Sequence, residues 1–351
     1  MSQTTNNNAV DVMKFVCAIL VVIIHAPPLL SYNETANFIL VDIIARIAVP
    51  FFFVCAGYFF FNKVDFKDGK IEKNTDTIKH LYKYIKHFIS IYVFWTIFYL
   101  LWWIPLWHNG GYLTIANLKG YILSILISGS YYHLWYLLSL IYGMIFTFVI
   151  LKHVQVKLVI LIAVIFYLIG TYQYSYTWLI SENFIIGLFN QVYGSLDSIS
   201  IGIFRAFPYL IMGLIFSKCR IKISPSLSAI LSVLCITLLG LEVWLLKTTG
   251  NSSRFSYVLL TGVTVFFIFH AVSKIKLTYN QVYPKLRKMS SIIYFVHPMF
   301  ININGLILSN YFNNDNSTIL FISVTFYAIL FSLGLIKLSQ TKQFLQLNSV
   351  Y

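Results

Sequence analysis

The sequence predicts an all-α, polytopic membrane protein of about ten transmembrane helices with both termini cytoplasmic. Three observations lead there. Of the 351 residues, 59% are hydrophobic and only 10% charged, outside the range of ordinary soluble domains. Apolar runs long enough to cross roughly 30 Å of hydrocarbon recur along the whole length. The basic residues gather at alternate ends of those runs, as a fixed orientation requires.

The elements follow in order. The polar start MSQTTNNNAV has no basic n-region and no small-residue cleavage site, so the first apolar run reads as a retained helix. Hydropathy gives spans at 11–30, 37–61, 87–107, 132–151, 156–172, 203–217, 225–246, 255–273, 289–309 and 317–337. The intervening segments 108–131, 173–202 and 310–316 are rich in Gly, Asn, Ser, Tyr and Trp, as loop or interfacial sequence is. Segment 173–202 keeps apolar stretches such as NFIIGLF, which fits a re-entrant or interface-lying helix. With the N-terminus in the cytoplasm, 20 of the 25 Lys and Arg residues fall on that side. The exceptions are Arg46, Lys119, Arg205, Lys247 and Arg254. No internal repeat suggests the inverted halves of a secondary transporter.

The net charge of +14 is spread over helix ends instead of forming one patch with interleaved aromatics, which excludes a nucleic-acid binder. Cys17, Cys55, Cys219 and Cys235 show no CxxC spacing, so neither a disulfide framework nor a metal site is expected; they read as packing residues.

Ionisable groups at membrane depth are costly, and each is a candidate site residue. In DVMKFVCAILVVIIHAPP, residues 11–28, ten residues lie between Lys14 and His25, a step of eleven positions. That is about three helical turns, so both lie on one face about 16 Å apart, with Asp11, Ala18 and Val21. The small Ala18 leaves space between the two polar groups, and Pro27 and Pro28 end the helix. Lys14 is either a snorkelling anchor or a cation facing a reagent that enters from the cytoplasm, and Asp11 suits a helix start capped by Asn8. His25 needs a polar partner in lipid and titrates where proton transfer is useful. Asp42 and Arg46 have the i, i+4 spacing of an ion pair, with Pro50 as a kink and Gly57 as a point of close approach. Arg46 either neutralises charge at a site or only holds Asp42. Lys79, Lys83 and Lys86 fall at helical spacing, a basic face for phosphates or for anionic lipid headgroups. His133 with Trp135 and Tyr136, then Arg205, then His297 lie beside aromatics in or near apolar spans. Taken singly, each histidine reads as a satisfied core residue.

Together these segments resemble the acyltransferase 3 family of membrane proteins over most of the chain. Lys14 and His25 match its signature of Arg or Lys, ten residues, then His. Further matches are RIAVPFFFVCAGY after Arg46, HLWYL at 133–137, FRAFPYLIMG at 204–213 and YFVHP at 294–298. The resemblance implies transfer of an acyl group, usually acetyl from cytoplasmic acetyl-CoA, to an extracytoplasmic acceptor such as a cell-envelope glycan. It makes His25 the catalytic histidine, Lys14 its basic partner for the donor, and Arg46 and Arg205 cavity residues. Where the family often has arginines before the third helix, this chain has lysines with His80 and His87; lysine neutralises a phosphate without the bidentate fork. The segment RIAVPFFF is similar to the membrane part of vancomycin-resistance serine racemases.

The expected function is therefore an acyl-CoA-dependent O-acyltransferase of the cell membrane, formed by one transmembrane domain over 1–351 without a fused SGNH or racemase domain. CoA phosphates would meet Lys14, Lys79, Lys83 and Lys86, and His25 would act as general base or carry the acyl group itself. Asp11, Asp42, Arg46, His133, Trp135, Tyr136, Arg205 and His297 would line the cavity for a glycan or small hydroxyl or amine acceptor. Acyl-CoA is a donor substrate and no resident cofactor is expected. Membrane lipid, separate envelope-biosynthesis proteins and a second copy of the chain are the other expected partners. The rival expectation is a transporter of a small polar solute such as serine.

Overall fold

The first long apolar run folds as helix α1, Asn8–His25, and the same physics repeats along the chain. The computed structural model describes residues 7–72, 74–111, 114–180, 184–196, 198–250, 255–312, 316–341 and 351. The further helices are α2 Glu34–Phe38, α3 Ala48–Phe61, α4 Thr75–Asn109, α5 Ile115–Ile127, α6 Trp135–His153 and α7 Val156–Ser175. They continue with α8 Phe184–Leu196, α9 Ser198–Ile201, α10 Phe207–Lys218, α11 Pro225–Thr248, α12 Leu259–Lys274, α13 Val282–Phe312 and α14 Ser317–Leu338. Among the described residues the only sheet is a hairpin, β1 Phe66–Lys67 with β2 Lys70–Ile71, turned by Asp68 and Gly69, both with positive φ.

Nine helical stretches among the described residues are long and apolar enough to cross a membrane, as a multi-pass membrane protein requires. They match nine of the ten expected spans. The remaining one, at 255–273, appears as the 16-residue α12. The third span begins at Thr75, earlier than expected, because the basic stretch before it is already helical and keeps its lysines on the exposed side. Segment 108–131, read as loop or interface, contains α5, and 173–202, where a re-entrant or interface-lying helix is expected, contains α8 with α9. Helix α5 is too short to stand out in a membrane-length window, and Ile115, Leu118, Ile122 and Leu126 on it are all exposed.

The chain divides into two compact units, Met1–Cys55 with Arg220–Ser349, and Ala56–Cys219. In the first unit α1 packs on α13, α12 and α14, while α11 packs on α12 and α13 on α14. Both ends of α1 are tied. The N-cap is Asn7 rather than Asn8: its Oδ1 accepts from Val10 N at 3.2 Å and its Nδ2 donates to Ser273 O at 2.8 Å. Asn8 is instead the first helical residue, with Nδ2 donating to Leu277 O at 3.0 Å. At the other end the Ser317 and Thr318 hydroxyls both donate to Pro28 O. Helix α12 has no cap of its own, and the Glu242 carboxylate on α11 accepts from Leu259 N and Leu260 N, each at 2.9 Å. Ala18 and Val21 are buried at 0% and 2% exposure, so the face between Lys14 and His25 is packed shut where the sequence suggested open space.

The second unit is built on close helix approaches. A Cβ on Gly143 of α6 would lie 2.8 Å from both Ala206 Cβ and Gly202 O, and one on Gly57 would lie 2.8 Å from Leu210 Cα. Ser139 Oγ donates to Ser198 O at 3.0 Å across the same α6 contact. Tyr92 on α4 donates to Ile125 O at 2.6 Å and accepts from Ser130 N at 3.0 Å, which fixes the turn after α5.

Each unit carries one wide-turn distortion. Ile39–Ile44 is a π-helix followed by a 3₁₀ turn, Ala45–Ile47, and Gly202–Ala206 is a second π-helix. Each precedes a proline, Pro50 or Pro208, whose missing N–H leaves the carbonyl four residues back without its helical donor. The expected kink at Pro50 therefore lies upstream of it. Both distortions contain an arginine, Arg46 and Arg205.

Candidate functional site

The first unit gathers two polar groups on two parallel helices, α1 and α13. At the N-terminal end of α1, Asp11 is buried at 1% exposure and pairs with Arg287 of α13, Nη1 to Oδ2 3.4 Å. Lys14 lies within electrostatic reach of Asp11, Arg287, Cys17 and Cys55. Asp11 Oδ1 is buried with no hydrogen-bond partner among the described residues, so the carboxylate still has acceptor capacity.

Three turns along α1, His25 stands half-buried, its helix ending there before Pro27 and Pro28. Its ring lies against that of His297 on α13, centroids 5.2 Å apart and planes 29° from parallel. His297 is fully buried, with Nδ1 2.8 Å from Tyr294 O and 3.2 Å from Ile293 O. Arg46 is within electrostatic reach of His25. Its Nη2 donates to Asp42 Oδ1 at 2.8 Å, and its Nε is buried with no hydrogen-bond partner among the described residues. The expected ion pair with Asp42 is present, and Arg46 keeps one unused donor, Nε.

This arrangement joins Asp11, Lys14, His25, Asp42, Arg46 and His297 in one unit, as two clusters separated along α1. Arg287 was seen in the sequence only as a charge at a helix end. A signal for it exists, because Arg287 and His297 repeat on α13 the cation-then-histidine order of Lys14 and His25. The pairing is invisible until the two helices are known to lie side by side.

The other predicted residues belong to the second unit. His133, buried at 1% exposure in the turn before α6, is enclosed by Tyr99, Tyr131 and Tyr132 at ring distances of 5.2, 5.5 and 5.6 Å. Tyr99 and Tyr131 stack at 4.2 Å. His133 is a buried ring in an aromatic cage. Trp135 and Tyr136, at the start of α6, are half-buried. The Arg205 guanidinium sits 3.8 Å over the Tyr174 ring, a cation–π contact of α7 with the π-helical turn. Lys79, Lys83 and Lys86 form one exposed face of α4, while His80 stacks on Phe60 at 4.8 Å and His87 is exposed.

All four cysteines are free; Cys17, Cys55 and Cys235 are buried, and Cys219 is exposed, unlike the packing residue expected of it. Among the described residues no group of three or more His, Cys, Asp or Glu could hold a metal ion.

Chemically, the first unit offers an imidazole within electrostatic reach of a guanidinium, with a lysine and a second arginine three turns away. Known proteins are similar to this chain in sequence. The chain is 33% identical over 215 residues to an amino-acid racemase of Enterococcus faecalis, covering 61% of this chain and 28% of the relative. It is 27% identical over 295 residues to a serine/alanine racemase of Enterococcus gallinarum, covering 84% of this chain and 41% of the relative. The chain thus spans less than half the length of the curated relatives it matches. No solved structure matches it. A family model described as an acyltransferase domain matches residues 7–337, and the chain belongs to this acyltransferase 3 family.

Proposed function

We propose that the protein is an acyl-CoA-dependent O-acyltransferase of the cell membrane, with both termini cytoplasmic, and that the group it moves is acetyl. The observation that carries this reading is the half-buried His25 within electrostatic reach of Arg46, with Lys14 and Arg287 three turns toward the N-terminal end of α1. The cations meet the donor's phosphates, and the thioester reaches the histidine level by a path other than the packed face of α1 that carries Ala18 and Val21. The acceptor hydroxyl then loses its proton to His25 as its oxygen attacks the thioester carbonyl, the C–S bond breaks, and CoA leaves as thiolate to be protonated. Equally balanced is a route in which His25 first takes the acyl group and passes it to the hydroxyl. In both, Arg46 Nε faces negative charge that develops on the carbonyl oxygen. Lys79, Lys83 and Lys86 add attraction for the donor, and His133, Trp135, Tyr136 and Arg205 serve the acceptor, a cell-envelope glycan or its precursor.

The test is transfer from labelled acetyl-CoA by purified protein in liposomes that contain envelope glycan. His25→Ala should abolish transfer in a protein that still folds; undiminished transfer removes the assignment. A missing acetyl mass on envelope glycans of cells that lack the protein identifies the acceptor.

A second reading rests on the relatives' names, which concern amino acids, in one of them serine and alanine. The chain would then carry a small polar solute such as serine, with the same polar residues along its path. Thermal stabilisation separates the two. CoA at a hundred times its Kd stabilises an acyltransferase by about 2.7 kcal/mol, while a transporter responds to serine and not to CoA.

A further inference from the structure

The unused feature of the site is the sequence His297–Pro298 inside α13. Pro298 has no N–H, so the carbonyl of Tyr294, four residues back, has no helical donor. His297 Nδ1 lies 2.8 Å from that oxygen and 3.2 Å from Ile293 O. A carbonyl oxygen only accepts, so Nδ1 carries the proton. The neutral ring therefore has its lone pair on Nε2. The proline opens a carbonyl, and the adjacent histidine closes it with a fixed tautomer.

That ring lies against His25, 5.2 Å between centroids, with His297 fully buried and His25 half-buried. Two positive charges at that spacing away from water repel strongly. We propose that His297 is a positioning residue, kept neutral by its full burial and fixed in one tautomer by the Tyr294 carbonyl that Pro298 frees, and that it makes His25 the one base of the pair. The imidazolium formed when His25 takes a proton then rests on the face of a neutral ring. Among the charged groups facing the pair, Arg46 is within electrostatic reach of His25, and it too opposes a second positive charge. This inference rests on the acyltransferase reading for its purpose, but not for its measurement.

The experiment uses the full chain in lipid nanodiscs, with ¹⁵N-labelled histidine and two variants. His297→Asn keeps a donor near the Nδ1 position and removes the ring. Pro298→Ala keeps the ring and gives Tyr294 O a competing N–H. In the unsubstituted protein, solid-state NMR should show His297 neutral with its proton on Nδ1, and Pro298→Ala should move part of that proton to Nε2. Carbethoxylation of His25 by diethyl pyrocarbonate, followed by peptide mass spectrometry across pH, should shift its midpoint by about half a pH unit or more in both variants. Acyl transfer should fall at least about tenfold in kcat, with KM little changed. A His297 proton on Nε2 in the unsubstituted protein overturns the proposal, as do coincident carbethoxylation profiles. If His297→Asn does not fold, Pro298→Ala decides alone. Absence of acyl transfer in the unsubstituted protein would refute the proposed function while the tautomer and His25 profile are still read.

Discussion

At the residue scale, Arg46 shows how one side chain serves stability and chemistry together. Its Nη2 holds Asp42 while its Nε stays buried, and the guanidinium is within electrostatic reach of His25. Both partners are about one-quarter exposed, so the ion pair itself contributes modestly to stability. The directed donor matters more, because lysine keeps the charge and loses the fork. Arg46→Lys is expected to lower kcat for acyl transfer by about a hundredfold, the effect of losing one oxyanion donor, with a melting temperature within a few degrees of the original. Asp42→Asn keeps the guanidinium in place and should cost less than about tenfold. Equal losses in steady-state assays of the two variants would make Arg46 an anchor for Asp42 alone. Charge spacing made the pair readable from sequence. The spare Nε was not readable, since it depends on how the helix distorts around Arg46.

At the element scale, helix contacts made through missing side chains give the clearest energetic prediction. Gly143 and Gly202 face each other so closely that a methyl on either one meets the other's backbone: 2.8 Å to Gly202 O, and 3.1 Å to Gly143 N. A single Gly→Ala at either position should lower thermal stability by about 1–3 kcal/mol through overpacking. The double variant should cost less than the sum, because the first shift makes room for the second. Gly120 on α5 has nothing within 4 Å of its would-be Cβ, so Gly120→Ala should leave stability unchanged or raise it by up to about 1 kcal/mol. Melting curves in one detergent check all four proteins; additive losses would separate the two glycines. Legibility follows the same division. Hydropathy reports span length and found nine of these helices, because crossing hydrocarbon is a property of a run of residues. Helix α5, the hairpin and the two π-helical turns are short and depend on neighbours, so a membrane-length window passes over them. His25 and His297 are 272 residues apart, and only the packing of α1 on α13 makes them one site.

At the scale of the whole molecule, the distribution of positive charge sets a testable orientation. The Lys218–Lys222 stretch between α10 and α11 contains Lys218, Arg220 and Lys222, with the exposed thiol of Cys219 among them. Six of the nine spans precede it, beginning with Asn8–His25. If all six cross, Asn7 and Cys219 share one side, and the positive-inside rule predicts that this side is the cytoplasm. The three other thiols are buried, so Cys219 acts as a built-in single label. A membrane-impermeant maleimide should leave intact cells unlabelled at this protein. After permeabilisation it should add to one thiol per chain, and after denaturation to all four. Labelling of intact cells would put the loop outside, and Lys14, close to the N-terminal end of α1, would go with it. A cytoplasmic acyl-CoA could not then meet Lys14 and Arg287, so this experiment bears on the proposed donor path as directly as on topology.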